Sequence, residues 1–186
     1  GRSVILLEPS GHLGGLTTGG LGQTDIGNKA AIGGVSREFY QRVRRYYSQE
    51  SAWKWQTRGE YRSIGQSETS PDEDTMWTFE PHVALKIYQD WLAEMQIPVI
   101  MNERLDRRNG VQLTRAIPGT IRSITMQSGN TYQGRMFIDA TYEGDLMAAA
   151  GVTYMVGREA NALYNETLNG VQTQHAIHHQ FVRGVD

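Results

Sequence analysis

The sequence predicts an α/β fold, and three observations carry that prediction. Two short apolar runs each close on an acid, Val4 to Glu8 and Met136 to Asp139. Between them lie two stretches, 35–47 and 81–95, in which apolar residues recur at spacings of three and four. Three further strand-like runs between 111 and 132 are separated by turn dipeptides. Runs of the first kind suit parallel strands covered on both faces, the second kind amphipathic helices, and the third an inserted antiparallel β-meander.

In chain order, Ser3 to Leu7 reads as a brief buried strand ending at Glu8-Pro9. Gly11 to Gly34 follows with nine glycines and little periodicity, and reads as loop with one helical turn. So much permissive backbone needs a ligand or neighbouring chain to hold it in place. From Ser36 as N-cap, with Glu38 close behind, Val35, Phe39, Val43 and Tyr46 form a stripe that predicts a helix to Tyr47. Residues 48–75 are polar, with Trp53, Trp55 and Tyr61 interleaved and Asp72, Glu73 and Asp74 near the end, and read as a surface excursion. Its rings are expected to pin the loop to the body by burial rather than to meet a planar substrate.

Pro81 in a first-turn position, followed by Val83, Ala84, Ile87, Trp91, Leu92 and Met95, predicts a second helix, with Glu80 ahead of it as a capping acid. Ile97 to Met101 reads as a strand. Val111 to Ala116, Thr120 to Met126 and Asn130 to Tyr132 form the meander, with turn signals at Asn109-Gly110, Pro118-Gly119 and Ser128-Gly129. Met136 to Ile138 is expected to return the chain to the main sheet. Leu146 to Ala150 forms a short helix stopped by Gly151, and Glu159 to Leu168 a further helical segment.

Composition sets bounds. The 186 residues suffice for one domain with a sizeable core, and a net charge of −2 supplies no field that would draw nucleic acid. The local run Arg42, Arg44, Arg45 reads as a solvated helix face. No apolar run approaches the length of a membrane span. With no cysteine, disulfide frameworks, thiolate metal sites and dithiol redox chemistry are excluded for this chain.

The chemistry concentrates after the first strand. In a dinucleotide-binding βαβ unit, an acid closing the second strand accepts hydrogen bonds from ribose hydroxyls, downstream of a glycine-rich phosphate turn. Glu8 stands where such an acid would stand, and no G-x-G-x-x-G turn precedes it. Gly14-Gly15 and Gly19-Gly20, separated by Leu16, Thr17 and Thr18, permit close backbone passage against a flat or phosphorylated ligand, with hydroxyls supplying uncharged hydrogen bonds. A pair of tight turns accounts for the same spacing equally well.

The segments EPSGHLGGLTTGGLGQTDIG, GGVSREFYQRV, FEPHVALKIYQDWL and, above all, FIDATYEGDLMAAAGVTYMVGREANALYNETLNGVQ carry a resemblance over nearly the whole chain. Together the sequence resembles the FAD-dependent oxidoreductases of the two-dinucleotide-binding-domain flavoprotein type. The resemblance implies FAD held in extended form on a Rossmann-like FAD/NAD(P)-binding domain, incomplete here, with the meander inserted. It implies Glu8, with Pro9 and Ser10, at the adenosine ribose; Gly14, Gly15, Leu16, Thr17 and Thr18 beside the pyrophosphate; and Gly19 and Gly20 near the flavin ring. Arg104 and Leu105 match the place where the family meets adenine through backbone groups. Ala140 and Thr141, after Asp139, match a turn passing the FAD phosphates, and Gly144-Asp145 opens a helix whose N-terminus favours an anion. Tyr142 stands where many relatives carry glycine, and Glu143 where they carry aspartate.

On this reading residues 1–171 are a partial FAD-binding domain, with the excursion at 48–75 and the meander at 110–133, and 172–186 is a polar tail. The chain is expected to be an internal fragment of a longer flavoprotein, which transfers hydride between a small-molecule substrate and flavin N5. The reading from a different class is a non-catalytic module that pairs with another chain, or with itself as a homo-oligomer, through an open sheet edge. His175, His178 and His179 have a spacing that a metal could use, but read as a solvated tail. His12 reads as a loop histidine rather than a flavin attachment point.

Overall fold

The protein is described here from a computed structural model, which places residues 3–24, 27–62, 73–117, 119–167, 169 and 170. The chain divides into two compact units, Gly1–Arg104 with Met126–Gly129, and Leu105–Thr125 with Asn130–Asp186.

In the first unit, β1 (Leu6–Glu8) pairs in parallel with β2 (Val99–Met101), Leu6 opposite Val99 and Glu8 opposite Met101. Between them the chain forms α1 (Gly15–Gly19), α2 (Gly34–Tyr47) and α3 (Pro81–Glu94). The one helical turn expected in the glycine stretch is α1. Strands occur at both expected places with shorter bounds: β1 covers Leu6–Glu8 rather than Ser3 to Leu7, and β2 covers Val99–Met101 of the expected Ile97 to Met101.

The core lies between α2 and α3 and the extended run that precedes α3. Phe39, Tyr40, Val43 and Tyr47 of α2 cluster with Val83, Ala84 and Ile87 of α3 and with Met76, Trp77 and Phe79. Phe39 is the hub, with ring centroids 5.2 Å from Tyr40, 5.4 Å from Phe79 and 5.2 Å from Tyr88. Edge-on and tilted pairs of this kind add to the area they bury. Two expectations are corrected. Val35, expected on the buried stripe, is 71 % exposed: it sits one turn before Phe39, in the first turn after the Gly33 cap, ahead of the residues that meet the core. Glu80 makes no side-chain cap to α3; its carboxylate accepts from the Tyr47 hydroxyl at 2.9 Å, and its N–H donates to the same oxygen at 2.9 Å.

The basic run on α2 is not uniformly solvated. Arg42 donates to Glu38 at 2.9 Å and to Glu94 at 2.8 Å, and its guanidinium lies 4.4 Å from the Trp91 ring centroid, tying α2 to α3. In the surface excursion, Trp53 donates its indole N–H to Tyr47 O at 2.9 Å and Tyr61 bonds Thr78 through its hydroxyl, so these two rings pin the loop as expected. Trp55 does not, being 91 % exposed.

The second unit carries the predicted meander. β3 (Val111–Leu113), β4 (Ile121–Thr125) and β5 (Thr131–Gln133) form an antiparallel sheet, with Val111 opposite Ile124 and Ile124 opposite Tyr132. At its base Gly110 is required: a Cβ there would collide with the carbonyls of Asp106 and Thr125. Two short helices follow, α4 (Asp145–Ala149) and α5 (Asn161–Tyr164).

The strand expected at 136–138 is absent. The segment is in no strand of the structure, and Met136 is 82 % and Ile138 86 % exposed. An apolar run closed by an acid is a signal shared by paired strands and by extended chain leading into a cap, and Asp139 turns out to belong to a cap. Among the described residues no helix is long and apolar enough to cross a membrane, and no group of three acids and histidines is placed to hold a metal. The histidines at 175, 178 and 179 lie outside the described residues.

Candidate functional site

The glycine turn is anchored to the C-terminal end of the parallel pair, where ligands bind in open α/β sheets. As β1 ends, Glu8 Oε1 accepts from Ser10 N at 2.8 Å and from Ser10 Oγ at 2.7 Å. The end of β2 grips the same segment: Asn102 N donates to Ser10 O and Glu103 N to Glu8 O, each at 2.9 Å. Asn102 adopts the left-handed conformation (φ 60°), which turns the chain toward Arg104. One carboxylate oxygen of Glu8 is thus committed to holding Ser10, whereas Oε2 has no hydrogen-bond partner among the described residues.

Past Pro9 and Ser10 the chain enters α1 through Gly14 (φ 97°) and Gly15 (φ 55°) and leaves it at Gly20 (φ 147°), conformations suited to glycine. Thr18 is buried and donates its hydroxyl to Leu13 O at 2.5 Å. Since that hydroxyl has one proton, His12 Nε2, 2.8 Å away, is the donor to Thr18 Oγ1. His12 is thereby locked in the turn. Thr17 bonds the Tyr88 hydroxyl from α3, and burial is the main cause that raises Tyr88 above the ordinary tyrosine range, against that hydrogen bond. Leu16 is exposed, and a Cβ on Gly19 or Gly20 would meet nothing within 4 Å, so this rim of the turn is open.

Arg104 closes the first-unit set. Its carbonyl accepts from Gln127 N at 2.7 Å, which leaves a second lone pair on that oxygen. Glu103 beside it was missed in the sequence: its carboxylate is buried and accepts from Ser128 Oγ at 2.9 and 3.0 Å, fixing the turn that carries Arg104. The signal was present, an acid shortly after an apolar strand, the same form that singled out Glu8.

The remaining expected residues lie in the second unit. Leu105 opens it, half-buried. Asp139 organises the rest: Oδ1 accepts from Thr141 N at 3.0 Å and Thr141 Oγ1 at 2.7 Å, and Oδ2 from Leu146 N at 3.0 Å and Met147 N at 3.1 Å. Burial works to raise the Asp139 carboxyl, but the hydrogen bonds from Thr141, Met147 and Leu146 together outweigh it and hold it below the usual carboxylate range. Gly144 (φ 66°) donates its N–H to Thr141 Oγ1 at 3.1 Å, Ala140 is exposed, and Asp145 lies 3.7 Å from Arg107. This corrects one expectation: two of the first amides of α4 are taken by the chain's own carboxylate, so its N-terminus is not a vacant anion site.

A parallel strand pair closed by an acid and followed by a glycine-lined turn is the arrangement at which α/β proteins bind nucleotides. A family model described as FAD dependent oxidoreductase matches residues 1–185, and the chain belongs to that family. Membership implies a Rossmann-like fold and FAD as the cofactor. No curated protein and no solved structure matches the chain. The first-unit residues fit that cofactor: a carboxylate oxygen at the strand end without a hydrogen-bond partner among the described residues, and a positive-φ glycine turn whose outer rim a Cβ would leave unobstructed.

Proposed function

We propose that Glu8 holds the adenosine ribose of FAD through its free carboxylate oxygen, with Pro9 and Ser10 fixing its rotamer and the exit of the strand. Gly14 to Thr18 line the pyrophosphate and Gly19 and Gly20 the approach to the flavin ring. Arg104 offers backbone groups to adenine; Leu105 and the turn at Ala140, Thr141, Gly144 and Asp145 are carried over from the family resemblance alone, that turn lending small residues and not the α4 amides, which Asp139 occupies. The observation that carries this reading is Glu8 itself, an acid closing a parallel strand directly ahead of a glycine turn.

The intact protein is an oxidoreductase that exchanges a hydride between a small organic substrate and flavin N5. FAD supplies the two-electron chemistry when bound; the chain supplies placement, hydrogen bonds and exclusion of water. Flavin released by denaturing the purified protein should be FAD rather than FMN, and anaerobic mixing with candidate alcohols, amines and organic acids should bleach its visible absorption with one class of compound. Release of FMN, or of no flavin from the intact protein, contradicts the reading.

A second reading has one observation in its favour. Only one edge of β1 is paired among the described residues, and Val4 and Ile5 just ahead of it are exposed. A homo-oligomer joined through that edge is the partner it suggests. Light scattering across a range of concentrations tests it: a monomer throughout removes it.

A further inference from the structure

Arg44, on α2 between the well-paired Arg42 and the exposed Arg45, has its Nη1 shielded from solvent with no hydrogen-bond partner among the described residues. A guanidinium nitrogen shielded from water without an acceptor is a destabilising arrangement, and folded proteins rarely leave one unanswered. Arg44 lines a cavity of about 470 Å³, a volume suited to a metabolite-sized ligand. Among the described residues the lining also includes Arg58, Arg62 and one carboxylate, Glu50, which forms no ion pair with any of the three arginines. Arg58 has no hydrogen bond or ion pair among the described residues, and Arg62 spends Nη1 on its own backbone surroundings, at Gly59 O and Tyr61 O. Among the described residues the lining of this cavity thus carries three cations against one carboxylate.

Its other walls are aromatic. Trp53 and Tyr61 line it with centroids 5.3 Å apart, and the Trp53 ring is fixed by its bond to Tyr47 O. A second cavity of about 440 Å³ shares Trp53, Tyr61 and Arg62 with the first and reaches Leu21, Gly22 and Gln23, the residues that follow Gly19 and Gly20. Both cavities lie within the first unit.

We propose that this pair of cavities binds a small organic anion, a carboxylate or phosphate monoester bearing a ring, with the anionic group at Arg44 and Arg58 and the ring against Trp53 and Tyr61. Arginine suits either oxyanion because its planar fork donates in parallel to two oxygens. That this anion is the substrate of the oxidoreductase rests on the flavin reading above, since the second cavity leads to the glycine turn; that the anion binds does not.

Calorimetric titration of the intact protein with phenyl phosphate, benzoate and benzyl alcohol tests the proposal. At least one of the two anions should bind, at least tenfold more tightly than benzyl alcohol and more weakly as salt is added, and which of the two binds more tightly identifies the oxyanion. Arg44→Gln should lower that affinity at least tenfold while leaving FAD affinity unchanged, with Lys86→Gln, which removes an exposed cation paired to Asp90, as the unaffected control. Should Arg44→Gln fail to fold, Arg58→Gln at the more open side of the cavity should weaken anion binding severalfold. Equal binding of benzyl alcohol, no binding of either anion, or anion affinity indifferent to both arginine variants overturns the proposal. Loss of FAD binding with phenyl phosphate still bound would instead overturn the flavin reading and leave the anion site standing.

Discussion

Gly14 and Tyr88 are packed so closely that a β-carbon on Gly14 would stand 2.9 Å from Cδ2 of the Tyr88 ring. The turn, open at its Gly19-Gly20 rim, is thus keyed into α3 at Gly14, and Thr18 closes the same space. Gly14→Ala combines that collision with a positive φ, a conformation costing roughly 1–3 kcal/mol for a residue with a side chain. Thermal denaturation should show the loss. Gly19→Ala is the contrast: a Cβ there meets nothing within 4 Å, so stability should hold while FAD affinity falls.

Asp139 ties four donors of the turn and of α4 to one carboxylate. Asp139→Ala should destabilise that turn by about 1 kcal/mol, the usual scale of a lost helix cap. Hydrogen exchange at the Leu146 and Met147 amides should accelerate. Because the folded carboxyl titrates below its ordinary value, its contribution is present above about pH 4 and fades as pH falls through the folded value. Protection of these two amides should fade on the same acid limb in the parent protein and be pH-independent there in Asp139→Ala.

Tyr47 links α2 to the start of α3 through one oxygen that donates to Glu80 Oε2 and accepts from Glu80 N. Tyr47→Phe leaves two half-buried groups of Glu80 without this partner and should cost about 1 kcal/mol. Burial is the largest cause that pushes this hydroxyl above the ordinary tyrosine range, with the Glu80 carboxylate adding to it. A raised value means that the protonated form is favoured in the folded state. The contribution is therefore complete below about pH 10 and declines as pH rises beyond it. Tyr47→Phe should flatten that alkaline limb in denaturation measured against pH.

What the sequence made legible follows the strength of each local signal. Pro81 and the stripe from Val83 to Ile87 specify α3 without help from elsewhere, and Asn109-Gly110 and Ser128-Gly129 mark turns of the meander in the same way. Val35 had the right spacing and still lies in solvent, because periodicity tells which face a residue occupies and not how far along the helix its partners extend. Met136 to Ile138 had a strand's composition and is not a strand, since pairing is never a property of one segment. Among the candidate site residues, the strand end at Glu8 and the turn at the glycines were readable as structure because their residue types are uncommon in that order. The capture of the α4 amides by Asp139 and the unanswered Arg44 were not, since both depend on side chains meeting across several residues of backbone.

Glu8 bears the central claim, and the most direct measurement is an equilibrium titration of FAD against the intact protein and its Glu8→Ala variant, followed by quenching of flavin fluorescence. The account predicts saturable binding by the parent protein and at least a tenfold weaker affinity in the variant, roughly the 1.4 kcal/mol or more expected for hydrogen bonds to a charged group. Equal affinity in a folded Glu8→Ala, or no binding by the parent protein, would contradict it.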